Sequence, residues 1–322
     1  MSRTALVIGG AGYIGSQTVK ALRRAGWFVR VLDIADPPER MWKLAPIVCG
    51  DVLDPAMLDA MLDAHTDVVV HLAALTSVAE AVEDPAIYHR TNALGTLNVL
   101  DAMRRHGVDK IVFSSSAAVY GHLPTDELVE DYIPAPLNAY GASKWAAELM
   151  LRDYSRAYGL RAVALRYFNA AGADPEGDLG EEHDPETHAI PLAMRAALGD
   201  DKAAFTVHGD GNGERDYVHV HDVARANVLA ADHLLRDGAS VTLNIGSGKG
   251  RSVWDVVAAV ERVSRRKVPI WMGAARPDDP RRLVASIKRA RDVLGWEPRL
   301  DFDEIIRTAW AWHAKPELVS SR

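Results

Sequence analysis

The chain has 322 residues, of which 48% are hydrophobic, and its 37 Lys and Arg against 44 Asp and Glu leave a net charge of −7. That length accommodates one long α/β domain or two ordinary ones, while the acidic balance excludes the basic field that gathers phosphate backbone, so nucleic acid is not an expected partner. Cys49 is the only cysteine, which excludes an intramolecular disulfide and fits a cytoplasmic compartment; glycines cut the N-terminal apolar run, so it does not read as a signal peptide, and no apolar stretch approaches the roughly 18 residues of a membrane span.

In chain order, ALVIG (5–9) predicts a first strand, and IGGAGYIGS follows it and opens a helix. Gly10, Gly12 and Gly15 satisfy GxGxxG, and Gly9, Gly12 and Gly15 satisfy GxxGxxG. Glycines there permit a tight turn that lets a pyrophosphate sit on the helix amides, although an ordinary strand-to-helix turn shares the pattern. FVRVLD (28–33) predicts the second strand and ends in Asp33, 18 residues after Gly15. A carboxylate at that spacing accepts hydrogen bonds from an adenosine ribose. Ile34 follows in place of a basic residue, which favours NAD over NADP. IVCGD (47–51) ends at Asp51 and Val52, whose spacing suits either an adenine-flanking position or a turn with a helix cap.

VVVHLA (68–73), KIVFSS (110–115) and AVALRYF (162–168) continue the series of strands, alternating with helical patterns. Such alternation predicts βαβ units and an α/β fold with a Rossmann-like, doubly wound parallel sheet. Tyr140 and Lys144, in NAYGASKWAAEL, lie four apart in a helical segment and hence on one face. A tyrosine of pKa about 10 becomes a usable base when a nearby ammonium stabilises its phenolate. The stretch 171–188, AGADPEGDLGEEHDPETH, reads as a loop entering a second lobe. Residues 216–235 read as a helix with Asp222 as N-cap, and VTLNIG (241–246) as a returning strand. The expected organisation is a dinucleotide domain of residues 1–170 plus about 216–246, and a smaller C-terminal α/β substrate lobe of residues 171–215 plus 247–322.

GGAGYIGS, GDVLD, HLAA, TNALGTLNVL, FSSSAAVYG, YGASK, RYFNAAGAD, RDYVHVHDVA, LNIGSG, ARPDDP and VLGWEP occur in this order across nearly the whole chain. In them the sequence resembles the extended short-chain dehydrogenase/reductase family, and within it the UDP-sugar 4-epimerases. The resemblance implies tightly bound NAD, a UDP-sugar substrate, most simply UDP-glucose and UDP-galactose, and a transient 4-keto intermediate. Another nucleotide sugar (an N-acetylhexosamine, pentose or uronate) and a net NAD-dependent oxidoreductase stand as alternatives. It further implies that Tyr140, Lys144 and Ser116 are catalytic. NAD contacts fall on Gly9, Gly12, Tyr13, Ile14, Gly15, Asp33, Asp51, Val52, Leu72, Ala73, Ala74, Asn92, Ser114, Tyr140, Lys144 and Tyr167. Substrate contacts fall on Ser116, Tyr140, Asn169, His188, His208, Arg215, Arg276 and Asp279. A homodimer is expected through the helices beginning near Thr91 and Tyr140, which carry Leu97, Leu100, Leu149 and Leu151.

Some positions depart from that pattern. His208 stands where an aromatic commonly packs on uracil, and Asp278 replaces a glycine of an RxGD pattern. HVHD (219–222) has ligand-like spacing, yet the resemblance accounts for it without metal, and no metal site is expected. GSGKG (246–250) lacks the spacing of a P-loop and reads as a turn. The eight tryptophans read as core packing. The serine run 114–116 is followed by Ala117 and Ala118, where the family's dehydratases and decarboxylases carry acids, so elimination chemistry is excluded.

Overall fold

The β-branched runs form the sheet that they predict. A computed structural model describes residues 3–37, 39–123, 125, 127–199, 204–275 and 280–315. In chain order the strands are β1 (Thr4–Ile8), β2 (Phe28–Asp33), β3 (Ile47–Cys49), β4 (Val68–His71), β5 (Lys110–Ser116), β6 (Arg161–Tyr167), β7 (Asn169–Ala171), β8 (Phe205–His208), β9 (Glu214–His219), β10 (Val241–Ile245), β11 (Gly250–Arg251), β12 (Ile270–Gly273) and β13 (Arg282–Leu283). Among the described residues, seven of them make one sheet in the order β10-β6-β5-β4-β1-β2-β3, parallel throughout.

The strands are apolar on both faces because both faces are covered. Ala5, Val7, Val29, Val31, Val68 and Val70 face one core, where Val19 and Leu22 of the helix Tyr13–Arg24 meet Val223, Ala230 and Leu234 of the helix Val220–Leu235. Leu6, Ile8, Val69, Ile111 and Phe113 face the other, under Val99 and Met103 of the helix Gly95–Arg105 and Ala147 and Leu151 of the helix Ala139–Tyr158. The order of strand addition reverses about β1, which pairs with β2 on one side and β4 on the other. A crevice therefore opens at the carboxyl ends of these strands, the ligand position of doubly wound sheets.

A third core joins Ile190, Ala193 and Met194 to Phe205, Val207, Val256, Val260, Ile305 and Ile306. Beside it, β9 pairs with β7, β11 and β13, and β8 pairs with β12. Ala290 and Trp296, late in the chain, pack into the first core under the sheet.

Three expectations are corrected. Residues 216–219 belong to β9, and the helix begins only at Val220; alternation of buried and part-buried residues there follows the two-residue period of a strand. The N-cap is His219, whose side chain accepts from the amide of His221. Asp222 lies inside the first turn, fully buried, and accepts from the amides of Arg299 and Leu300 at 2.9 Å. The tryptophans also divide: Trp27, Trp296 and Trp312 are buried, but Trp42 and Trp271 are exposed. Among the described residues no helix is long and apolar enough to cross a membrane.

Candidate active site

The glycine turn between β1 and the helix Tyr13–Arg24 is built by close approach. Gly9 has φ +83°, and a Cβ on it would lie 2.4 Å from the amide nitrogen of Ala73, in the HLAA segment at the end of β4. A Cβ on Gly15 would stand 2.0 Å from the carbonyl oxygen of Gly9. At Gly12 the nearest atom to such a Cβ is 3.7 Å away, so the space above it is open. Gly12 caps the helix without a side-chain hydrogen bond, leaving the first-turn amides unsatisfied and facing an anion site.

Asp33 ends β2 across this turn. Its Oδ2 accepts from the amide of Ala11 at 2.7 Å and its Oδ1 from that of Ala35 at 3.0 Å. Lone pairs remain on both oxygens for ribose hydroxyls. A cavity of about 260 Å³ opens between Gly12, Tyr13 and Ser16 on one side and Asp33, Ala35 and His183 on the others. The cradle that a Cβ would fill and the acidic second-strand end both fit NAD. Asp51 makes a local turn with the amide of Leu53 at 2.9 Å, while Asp54 caps the next helix; of the two readings of that segment, the turn and cap are what the hydrogen bonds describe. Val52 is buried and its carbonyl accepts from Asn98.

The catalytic helix starts at Ala139 behind Asn138, whose side chain accepts from the amide of Gly141 at 2.9 Å. A Cβ on Gly141 would lie 2.4 Å from the carbonyl oxygen of Ala118. The helix start is thus pressed onto the residues that follow Ser116. Three consecutive serines at the end of β5 then face residues one turn apart on the helix. Ser114 accepts from Lys144 Nζ through its carbonyl at 2.8 Å and its Oγ at 3.3 Å, Ser115 donates to Glu148, and Ser116 lies beside the Tyr140 hydroxyl and favours its ionised form.

Burial raises the Tyr140 hydroxyl above its ordinary pKa, and Ser116 draws it back. Burial lowers Lys144 to about 7. Its hydrogen bonds run to Ser114 at the strand end. Behind it, His71 is held neutral at about 3 by burial and by the charge of Lys144. The Thr96 hydroxyl donates to the Asn92 carbonyl at 2.6 Å, and His71 Nε2 lies 3.1 Å from Thr96 Oγ1. Asn92 joins the two sides of the site: its Nδ2 donates to Leu75 O and to Ser143 Oγ, both at 3.0 Å, and its Oδ1 accepts from the Leu75 amide. Tyr167 donates to Asn227 Oδ1 at 2.7 Å, and burial raises its hydroxyl far enough that it does not compete as a base.

Tyr13 reaches across to the second lobe and donates to the Gly172 carbonyl at 2.6 Å; Ile14 packs against the first core, and Leu72, Ala73 and Ala74 line the exit of β4 half-buried. Asn169 is exposed on β7 and donates to Asp216 O at 3.2 Å. Arg215 is half-buried on β9, donating to Glu214 O at 2.8 Å. His188 caps the helix Ala189–Leu198 and pairs with Glu181 through Nδ1. His208 ends β8, exposed, with Nδ1 3.1 Å from Ala274 O. Leu283 pairs with Arg215 in β13. Arg276, Asp278 and Asp279 lie outside the described residues.

The model of the NAD dependent epimerase/dehydratase family matches residues 5–246, from β1 through β10. The chain belongs to that family. It is 46% identical over 320 residues to a UDP-glucose 4-epimerase of Rhizobium leguminosarum bv. trifolii, covering 97% of this chain and 98% of the relative. It is similar to the crystal structure of UDP-glucose 4-epimerase from Brucella ovis in complex with NAD, at TM-score 0.92 and 44% identity over 96% of this chain and 98% of that one. A Bifidobacterium longum UDP-glucose 4-epimerase in complex with NAD+ and UDP aligns at TM-score 0.92 and 34% identity, over 98% and 99% of the two chains.

For a member of this epimerase/dehydratase family, several polar residues went unread in the sequence. Glu148 is buried and pairs with Arg166 at 2.7 Å, linking Ser115 to β6. Asp216 is fully buried and accepts from Ser247, Gly248 and Ala285, so the GSGKG turn wraps a carboxylate. In HVHD, His219 Nε2 lies 3.0 Å from Thr308 Oγ1, so the ring is engaged at both nitrogens. The i, i+4, i+8 spacing of Tyr140, Lys144 and Glu148 was a usable signal for the helix face.

Proposed function

We propose that the protein catalyses NAD-dependent 4-epimerisation of a UDP-sugar, interconverting UDP-glucose and UDP-galactose through a transient 4-keto sugar. The observation that carries this reading is Tyr140 placed beside Ser116 and one helical turn from Lys144, at the carboxyl end of a sheet whose glycine turn fits NAD. Its 46% identity to a UDP-glucose 4-epimerase supports the choice of reaction.

Bound NAD supplies a reversible two-electron acceptor and a positive ring that favours the phenolate. Tyr140 takes the proton of the sugar 4-hydroxyl, and Ser116 hydrogen-bonds that hydroxyl and relays the proton. Lys144, anchored on Ser114, holds the nicotinamide ribose. Asp33 accepts from the adenosine ribose, and the amides after Gly12 carry the pyrophosphate. Asn169 and His188 face the nucleotide sugar, Arg215 clamps the diphosphate, and His208 lies at the base; Arg276 and Asp279 share these duties by family position. The keto sugar turns about its diphosphate link and is reduced on its other face. Ala117 and Ala118 offer no group to protonate or deprotonate the sugar beyond C4, so re-reduction is the exit.

The protein is proposed to act in galactose metabolism in the cytoplasm, with residues 1–170 and about 216–246 holding NAD and residues 171–215 and 247–322 the nucleotide sugar. A homodimer is proposed through the helices Gly95–Arg105 and Ala139–Tyr158. Leu100 and Leu151 are buried in the monomer core, so the contact falls to half-buried Leu97 and Leu149 and exposed Leu94; light scattering at micromolar concentration gives twice the chain mass if this holds. The reaction is tested by incubating purified protein with a panel of UDP-sugars, no NAD added, and identifying products by NMR. Interconversion of UDP-glucose and UDP-galactose is expected; a strict need for stoichiometric external cofactor contradicts the reading.

A further inference from the structure

The loop that follows Gly172 carries the spacing Glu181-x-His183-x-x-Glu186-x-His188. Folded, it draws one ligand atom of each residue to within 4.8 Å of all the others. His183 Nδ1 lies 3.1 Å from Glu181 Oε1, and His188 Nδ1 contacts the same oxygen. His188 Nδ1 is 3.8 Å from Glu186 Oε1. Two imidazoles and two carboxylates therefore point inward at one small volume.

Both carboxylates are removed from water, with side chains 4% and 0% exposed for Glu181 and Glu186. Glu186 Oε1 accepts from the amides of Thr187 and His188 at 2.8 and 2.9 Å. Its Oε2 is buried without a hydrogen-bond partner and forms a long ion pair with the guanidinium of Arg195 at 4.0 Å. A buried carboxyl oxygen without a hydrogen-bond partner costs free energy, which a bound cation would recover.

We infer that Glu181, His183, Glu186 and His188 form a closed binding site for one divalent transition-metal ion, of which zinc best suits two imidazoles and two carboxylates. Four protein ligands with no open position make a structural site. Tetrahedral bonds of about 2.0–2.1 Å put neighbouring ligand atoms about 3.3 Å apart, so these atoms, now within 4.8 Å of one another, must draw closer on binding. The ion's two charges balance the two carboxylates, each Nδ1 gives its lone pair to the metal, and any proton it held toward Glu181 leaves to solvent. His188 Nε2 is not consumed and stays available to the nucleotide sugar. The site would fasten the loop beside the cofactor turn, since His183 packs edge-on to Tyr13 at 6.3 Å and lines the cavity above Gly12.

The test titrates ZnCl2 into chelator-washed, full-length protein by calorimetry, with X-ray absorption on the zinc-loaded sample. One saturating equivalent is expected in the micromolar range or tighter, with a first shell of two imidazole nitrogens and carboxylate oxygens. Glu186→Gln and His183→Ala are each expected to weaken binding at least about tenfold. The absence of saturable binding, a shell of water oxygens, or affinity unchanged in both variants overturns the site. The absorption spectrum reads the wild-type chain, so the result stands even if a variant fails to fold.

Discussion

Lys144 Nζ donates to the main-chain carbonyl of Ser114 at 2.8 Å, inside a site where only 2% of the lysine is exposed. The helix Ala139–Tyr158 is thereby tied to the strand end by the amine that the proposed chemistry uses. Burial lowers Lys144 from 10.5 to about 7. Below about pH 7 the folded chain must carry a buried ammonium, so the full cost of desolvation is present there. Between about 7 and 10.5 the unfolded chain binds the proton and the folded one does not, so stability rises with pH across that window. Above 10.5 neither state is charged and the cost is gone. Lys144→Met should therefore abolish turnover yet raise the melting temperature of cofactor-free protein most below pH 7 and least near pH 10, the difference reaching a few kcal/mol at about 1.4 kcal/mol per pH unit. Thermal melts of both proteins across that range check it; a variant less stable at every pH contradicts it.

Removing the hydroxyl of Tyr140 leaves the packing of its ring against Tyr88, at 6.5 Å between centroids, in place. Tyr140→Phe should lower kcat by about 10²- to 10⁴-fold with an unchanged circular dichroism spectrum. Ser116→Ala should lower it by about 10- to 100-fold, as expected for a hydrogen bond to a charged group worth ~1.5–3 kcal/mol. Near-normal rates in the Tyr140 variant would remove the general base from the account.

Gly141 is the point where the catalytic helix touches the Ala118 carbonyl, with 2.4 Å available to a Cβ. Gly141→Ala must move the helix start, at about 1–3 kcal/mol for overpacking. The expected result is a kcat loss larger than the stability loss explains, because Tyr140 moves away from Ser116. Steady-state kinetics beside a denaturant melt separate the two.

Asp33 accepts from the Ala11 amide while facing the glycine turn. Asp33→Ala should raise the Kd for NAD by at least about tenfold, as one hydrogen bond to a charged group is worth ~1.5–3 kcal/mol. NAD carried through gel filtration, read by absorbance and by enzymatic assay after denaturation, should fall in step. Full retention would place the adenosine ribose elsewhere.

The sheet and the dinucleotide turn were legible because both are written locally: apolar runs of strand length, and glycines within seven residues. Tyr140 and Lys144 were legible for the same reason, four apart on one helix. The residues that organise the site from a distance were not. Glu148 meets Arg166, Asp216 meets Ser247 and Ala285, and Asp222 meets Arg299 and Leu300; each pairing depends on which strands and helices become neighbours. Asp222 has a cap's composition but lies three residues past the cap, which falls to His219, and its carboxylate serves the amides of Arg299 and Leu300. The Glu181–His188 cluster sat in plain spacing, but acids and prolines around it matched an ordinary loop. Its burial, which the sequence does not carry, is what distinguishes it.

The central claim is that C4 of the sugar is oxidised and reduced within one active site. Purified protein should be given UDP-galactose deuterated at C4, with no NAD added, and the UDP-glucose formed should be examined by NMR and mass spectrometry. Deuterium retained at C4 is the predicted result; loss of the label to solvent, or no product until external NAD is supplied in stoichiometric amount, would contradict it.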